Sequence, residues 1–210
     1  MKSIAKKIVL LVAAMLSVFY PYNLFRKVSR FINFIYSASV KRTFAKAGSN
    51  FFIERDAQVL GGKHIEIGDN FLCFARLRLE AYSEHNGVRF NPRITIGNNV
   101  SLNYDCHIAA VNSISIGNGV LIASKVFITD HYHGTINAEA LAIPPAQRTV
   151  QSPGKVVIED NVWIGEGVAV LPNVTIGKNS IIGANSVVTG NIPADSVAAG
   201  VPARVIRKLQ

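Results

Sequence analysis

KVVIEDNVWIGEGVAVLPNVTIGKNSIIGANSVVTGNI, residues Lys155 to Ile192, sets the fold of this chain. Ile158, Ile164, Val170, Ile176, Ile182 and Val188 follow one another at steps of six without a break, and four residues after each stand Val162, Val168, Val174, Ser180, Ser186 and Ile192. A helix repeats near 3.6 and a half-buried strand near 2, so neither element alone accounts for six. The period fits a strand only when the chain turns a corner after each short strand, so that one aliphatic side chain per face points inward. That is an all-β solenoid, the parallel β-helix of hexapeptide repeats. The corner residues agree. Gly165, Gly177 and Gly183 directly follow inward aliphatics, and Asn161, Asn173, Asn179 and Asn185 precede the four-residue mates. Both residue types tolerate tight or left-handed backbone.

Upstream, the rhythm continues less regularly. Ile96, Leu102, Ile108 and Ile114 keep the step of six, the frame then slips by two to Ile116, Ile122 and Ile128, and weaker rows run through Ile67, Cys73, Leu79 and through Ile53, Val59, Ile65. The β-helix is therefore expected over residues 51–196. One long break, residues 129–155, loses the repeat and carries His131, His133, Pro144, Pro145, Pro153 and Gly154. A loop of this length in a regular solenoid signals function, and it should overhang a binding cleft.

Residues 1–50 form a different segment. Ile8 to Tyr20 are uncharged and mostly apolar, preceded by Lys2, Lys6 and Lys7 and followed by Pro21. This is shorter than the roughly 20 residues a membrane span needs, and no small-residue cleavage site follows closely. From Asn23 to Lys46, aromatic and aliphatic residues alternate with Arg26, Lys27, Arg30, Lys41, Arg42 and Lys46 at helical spacing. The pattern suits a helix lying in a membrane interface; the alternative is a helical layer packed on the main domain or on a neighbouring subunit. Residues 197–210 read as a C-terminal tail. The whole chain of 210 residues is 49% hydrophobic and 17% charged, which excludes disorder and requires a large core. Its net charge of +9 is scattered, with the densest group around the apolar N-terminus, so an anionic lipid or phosphorylated ligand fits better than nucleic acid. Cys73 and Cys106 form neither a CxxC pair nor a disulfide framework.

The chain resembles the hexapeptide-repeat acetyltransferases, in the branch of galactoside, maltose, O-antigen and capsule O-acetyltransferases. The residues that carry the resemblance are Asp160-Asn161-Val162-Trp163-Ile164-Gly165, Leu171-Pro172-Asn173-Val174-Thr175-Ile176-Gly177, Ile182-Gly183-Ala184-Asn185-Ser186-Val187-Val188-Thr189 and Ala199-Gly200-Val201-Pro202-Ala203-Arg204-Val205-Ile206. The resemblance covers residues 94–208 and implies a left-handed helix, a homotrimer with active sites shared between neighbours, acetyl-CoA as co-substrate and a carbohydrate acceptor. A thioester is already activated, so no metal is needed; the acceptor hydroxyl must lose a proton as it attacks, and an imidazole is the natural base. Asn103, followed by Tyr104, lies thirty residues before His133 without a gap, the separation the family keeps between its substrate-side asparagine and its histidine. His133 is the first choice for the base. With a loop that begins two residues earlier His131 takes that place, and Asp130 or the second histidine would orient it. For the cofactor, the resemblance implicates Trp163, Gly165, Glu166, Gly183, Ala184, Thr189, Arg204 and Arg207; Glu166 and Gly190 depart from the residues common at their positions.

Three other readings stand beside this one: N-acetylation of an amino-sugar nucleotide, a zinc enzyme of carbonic anhydrase type, and a non-catalytic β-helix scaffold. Zinc would need several convergent histidines, and His64, His85 and His107 lie far from His131 and His133 in sequence. Because acetyl-CoA is cytosolic, the expected location is cytoplasmic, peripheral on the inner face of the cytoplasmic membrane, where lipid-linked precursors of lipopolysaccharide or capsule are met.

Overall fold

The computed structural model describes residues 2–135 and 137–209. Its body is a three-sided prism, with one parallel sheet on each side. The first sheet stacks Lys46–Ala47, Ile65–Ile67, Arg93–Ile96, Ser113–Ile116, Val156–Ile158 and Thr175–Ile176. The second stacks Phe52–Ile53, Leu72–Cys73, Ser101–Leu102, Leu121–Ile122, Trp163–Ile164, Ile181–Ile182 and Ser196–Gly200, and the third runs from Gln58–Leu60 through Arg78–Ala81, His107–Ala110, Phe127–Thr129 and Ala169–Val170 to Val187–Val188. The chain visits the three in rotation. Each step of six thus carries one aliphatic side chain to the next wall, and the same position in successive coils forms a column: Cys73, Leu102, Ile122, Ile164 and Ile182 on the second sheet, Leu79, Ile108, Ile128, Val170 and Val188 on the third, all buried. The hexad rhythm is the core.

The frame slip has a structural cause. Downstream coils are 18 residues long, as between Asn161 and Asn179, whereas upstream coils take 20, as between Asn98 and Asn118. The two extra residues lengthen the third-sheet strand, His107–Ala110 against Ala169–Val170, and enlarge the corner that leads back to the first sheet. Corners between the first and second sheets carry an amide ladder. Asn50 donates to Asn70 (2.8 Å), Asn70 to Asn99 (2.9 Å), Asn161 to Asn179 (3.2 Å) and Asn179 to Asp195 (2.7 Å), each of these residues at positive φ. A carboxamide both donates and accepts, so one residue type can extend the ladder coil after coil, and its short polar side chain tolerates the left-handed backbone. Gly165 answers a different demand: a Cβ there would stand 2.7 Å from the Ala184 backbone nitrogen of the next coil.

The structure differs from the sequence expectation in four places. The solenoid begins earlier than residue 51, with Lys46–Ala47 paired to Glu66–Ile67. Residues 129–155 are not its lone interruption, since a hairpin, Glu84–His85 against Val88–Arg89, enlarges the coil between Asn70 and Asn99 to 29 residues; no hexad row marks it, because it sits between two strands that each keep their own column. The long insertion, which gives its coil 42 residues, is itself a hairpin at its base, where Tyr132–His133 pairs with Val150–Gln151. The expected tail instead turns back, and Ala203–Lys208 pairs antiparallel with Ser196–Gly200, closing the edge of the second sheet.

Two helices precede the prism, α1 (Lys2–Ser17) and α2 (Tyr22–Lys41), separated at Pro21 and bent by 69°. Neither is long and apolar enough to cross a membrane alone. The C-terminal half of α2 packs on the first coil: Asn33 and Ser37 are buried, the Tyr36 hydroxyl donates to the Ala57 carbonyl (2.9 Å), and Arg55 reaches up to Asn33 (2.8 Å) and Ser29 (2.9 Å). Ile164→Ala, which empties a core position, should lower the unfolding free energy by about 2–5 kcal/mol in urea titration, while Val157→Ala, on an outward position, should cost less than half as much.

Candidate active site

A cavity of about 240 Å³ opens on the outer face of the third sheet, at the enlarged corner, with the two hairpins as its rim. Its floor is set by strand alternation. Ile128 points into the core, so Phe127 and Thr129 point out, and the chain then leaves the sheet through Asp130 and His131. Asp130 is fully buried, and its carboxylate accepts the backbone N–H groups of Val111 (2.9 Å) and Asn112 (2.8 Å) from the coil below. A buried carboxylate needs such donors. The other contact of its Oδ1 is His131 Nδ1 at 3.0 Å, and the Thr129 hydroxyl stands 3.1 Å from the same nitrogen while donating to the His131 carbonyl. This network assigns the proton to Nδ1. The His131 side chain is 11% exposed and lines the cavity, and its Nε2 has no hydrogen bond among the described residues. A neutral imidazole anchored at Nδ1 by a carboxylate is built to accept a proton at Nε2.

Facing it is a second carboxylate–imidazole pair. Glu80 is buried, with His107 Nε2 at 2.8 Å and the Arg78 guanidinium donating to both oxygens at 3.1 Å. Burial alone would raise the Glu80 carboxyl; the hydrogen bonds from Tyr82, His107 and Arg78, with the Arg78 charge, outweigh it and hold the group below the ordinary carboxylate range. Burial pushes the His107 imidazole down, despite Glu80, and the Arg78 and His131 sides add to the fall. The pair is thus an ionised carboxylate accepting from a neutral ring rather than two opposite charges. Tyr82 completes the wall, edge-on to His131 with ring centroids 6.3 Å apart, its hydroxyl raised by burial and by Glu80.

The residues singled out from sequence are distributed unevenly. Asp130 and His131 meet as described, whereas His133 stands exposed in the hairpin rim, 5.6 Å from the ring of His85 in the facing hairpin. Asn103 and Tyr104 lie at the corner between the second and third sheets, Tyr104 stacked on Phe74, and neither lines the cavity. Trp163 projects from the second sheet, 50% exposed, beside Leu121 and Ile181. Gly165, Glu166, Gly183 and Ala184 follow its strands at one corner, and Arg204 and Arg207 lie on the returning C-terminal strand. Thr189 follows Val188 as Thr129 follows Ile128, on the same outward column of the third sheet and two coils along it. Glu80, Tyr82, His85 and His107 were not legible as site residues. The available signal is that Glu80 and His107 flank inward aliphatics, Leu79 and Ile108, on the coils that precede an insertion. Cys73 and Cys106 are buried away from the cavity, and burial raises both thiols, Cys106 to about 11.

Comparison with known proteins gives a consistent set of likenesses. The model of the bacterial transferase hexapeptide, six repeats, matches residues 155–190. The putative lipopolysaccharide biosynthesis O-acetyl transferase WbbJ of Escherichia coli K12 is 47% identical over 148 residues, 69% of this chain and 71% of that one. Galactoside O-acetyltransferase of Lactococcus lactis is 36% identical over 158 residues, 74% and 69% of the two chains. Among solved structures, a galactoside acetyltransferase in complex with coenzyme A superposes with a TM-score of 0.54 at 31% identity, covering 81% of this chain and 68% of that one. The N-acyltransferase AntD of Bacillus cereus, at 22% identity and a TM-score of 0.68, shares the fold.

The Glu80–His107 pair couples stability to pH. Both groups are held below their ordinary values of 4.5 and 6.5, so the folded state binds protons less readily than the unfolded chain, and the stability present above those values is lost as pH falls through and below them. The urea midpoint should therefore drop as pH falls from 7 to 5, and drop less in His107→Gln, while the further drop below pH 4.5 should be smaller in Glu80→Gln; a His107→Gln protein that drops like the parent between pH 7 and 5 would place the coupling elsewhere.

Proposed function

The chain belongs to the bacterial hexapeptide-repeat transferases, among the sugar O-acetyltransferases, and on that premise we propose that it moves an acetyl group from acetyl-CoA to a hydroxyl of a surface-polysaccharide precursor, with His131 as general base. The observation that carries the assignment of the base is the buried Asp130 carboxylate on His131 Nδ1. In the reaction the acceptor hydroxyl gives its proton to Nε2 as its oxygen attacks the thioester carbonyl. The tetrahedral intermediate then expels the CoA sulfur, which takes the proton back from the imidazolium. Asp130, held by two backbone N–H donors, stabilises that imidazolium through its contact with Nδ1. The buried Glu80 with its ring partner His107 offers the acceptor a polar wall across from the base, suited to neighbouring hydroxyls.

The left-handed prism leaves several apolar side chains outside. Leu121, Trp163 and Phe127 project from the second and third sheets, and these exposed side chains support the proposal of a homotrimer that would cover them and complete the site between neighbours. The pantetheine arm of acetyl-CoA would follow the outward column from Thr189 toward Thr129 and His131, with Arg204 and Arg207 available to its phosphates. Membrane contact belongs to the same proposal: α1 is exposed over its apolar residues Ile8 to Leu16, and α2 over Leu24, Phe25, Val28, Phe31, Ile32 and Ile35. Such a surface is far larger than a soluble domain ordinarily presents, and it would hold the enzyme at the cytoplasmic leaflet.

The test is thiol release from acetyl-CoA with a panel of hydroxyl and amino sugars. His131→Ala should lose about 10²–10⁴ in kcat, and Asp130→Asn should be impaired in kcat with little change in acceptor KM. His133→Ala should stay within about fivefold of the parent, because an exposed rim residue with no orienting carboxylate contributes little to proton transfer. The reverse ranking of the two histidines would move the base to His133, and transfer confined to amines would replace the hydroxyl acceptor.

A further inference from the structure

Beneath α2 lies a groove of about 990 Å³, well away from the His131 cavity and not used by the acetyl-transfer chemistry. One wall is the cationic edge of the helix, Arg26, Lys27 and Arg30. The opposite wall is the outer face of the second sheet at its first coils, where Phe52, Leu72 and Phe74 stand in the outward positions. Glu54 is the one carboxylate lining the groove among the described residues, and it already accepts the N–H of Ala75 at 3.2 Å. No acidic side chain among the described residues pairs with the three cations. Arg26 and Arg30 instead lie over the rings of Tyr22 and Phe34 at 5.9 and 5.8 Å, contacts that leave guanidinium N–H groups available.

The position of the groove indicates its occupant. At 100° per residue, Arg26 and Arg30 fall on the side of α2 that carries the buried Asn33 and Ser37, away from the exposed apolar arc of Leu24, Phe25, Val28, Phe31, Ile32 and Ile35, and Lys27 lies between them and that arc, so the cations line the sheet-facing side of the helix above the arc. An amphipathic helix with this arrangement puts its apolar arc among acyl chains and its cations at the level of phosphates. The aromatic floor then supplies a half-apolar pocket at the same depth, of the kind that receives a glycerol and the first methylenes of a chain. We infer that the groove beneath α2 is a headgroup site for an anionic membrane phospholipid, whose phosphate is held by Arg26, Lys27 and Arg30 against the wall formed by Phe52, Leu72 and Phe74. This rests on the reading of α1 and α2 as membrane-contacting and adds to it a specific site: apolar burial gives attachment to any bilayer, and the groove gives preference for an anionic one.

Flotation of the full chain with vesicles separates the two. Phosphatidylcholine vesicles alone report the apolar contribution, and phosphatidylcholine mixed with phosphatidylglycerol reports the groove. For the parent, the partition coefficient should be higher on the mixed vesicles and should fall with added salt. The triple variant Arg26→Gln, Lys27→Gln, Arg30→Gln should lose at least tenfold on mixed vesicles and keep its binding to phosphatidylcholine. A control triple at exposed cations elsewhere, Lys63→Gln, Lys155→Gln, Lys178→Gln, removes the same net charge and should lose less than threefold. Equal losses in the two triples would reduce the effect to overall charge and overturn the site. A groove triple that floats like the parent but changes its oligomeric state in gel filtration would make the groove a contact between copies, and also overturn it. A parent chain that floats with neither vesicle overturns the membrane reading itself, an outcome that leaves acetyl transfer by His131 intact and distinguishable.

Discussion

The structure depends on the stacking of like side chains over like, wall by wall, inside a narrow prism. Each coil contributes one branched aliphatic or small residue per wall, and none of these can be buried until the next coil is laid over it. A single coil has no core. The backbone ladder and the side-chain columns are therefore one cooperative unit, in which a column member such as Ile122 packs against Leu102 below and Ile164 above. The asparagine ladder repeats this logic on the surface in two runs, Asn50 to Asn70 to Asn99 and Asn161 to Asn179 to Asp195, in which each amide donates to the side chain of the next coil.

Such an interior has no room for chemistry. Function has to be placed on the outward positions of the walls and on segments that leave the repeat, and the site uses both. Thr129 is an outward position, Asp130 and His131 are the first residues off the wall, and the two hairpins that rim the cavity are inserted between strands that keep their register. The two-residue enlargement of the upstream coils matters here. It provides the corner at which the N–H groups of Val111 and Asn112 converge on Asp130, and the downstream 18-residue coils, with their shorter third-sheet strands, lack it.

Two buried carboxylates, Asp130 and Glu80, represent a considerable desolvation cost in a structure whose core is otherwise almost wholly aliphatic. Each is compensated by a full set of donors, and each holds an imidazole. That pairing is the local departure from the repeat's chemistry, and it coincides with the cavity. The helices α1 and α2 present a different departure, an apolar surface left outside the prism because the walls are already complete without it; α2 is fastened to the first coil by polar contacts through Asn33, Ser37 and Arg55 and keeps its apolar arc free.

The hexad rhythm from Ile158 to Val188 determined by itself the solenoid, its three walls, which residues face inward and where the chain is interrupted by the long insertion, because a period of six admits no other regular burial. It also carried the pairing of Asp130 with a neighbouring imidazole, since residues one and three apart cannot be far from each other. What it left open was decided by stacking across coils. Spacing along the chain favoured His133 and Asn103, yet the register of the walls brings Val111 and Asn112 to Asp130 across 19 and 18 residues, brings Glu80 and His107 to the cavity beside His131, and leaves Asn103 at another corner. Contacts between coils depend on how many residues each corner consumes, and the small hairpin at Glu84–Arg89 and the two-residue enlargements carry no hydrophobic period by which that number could be read.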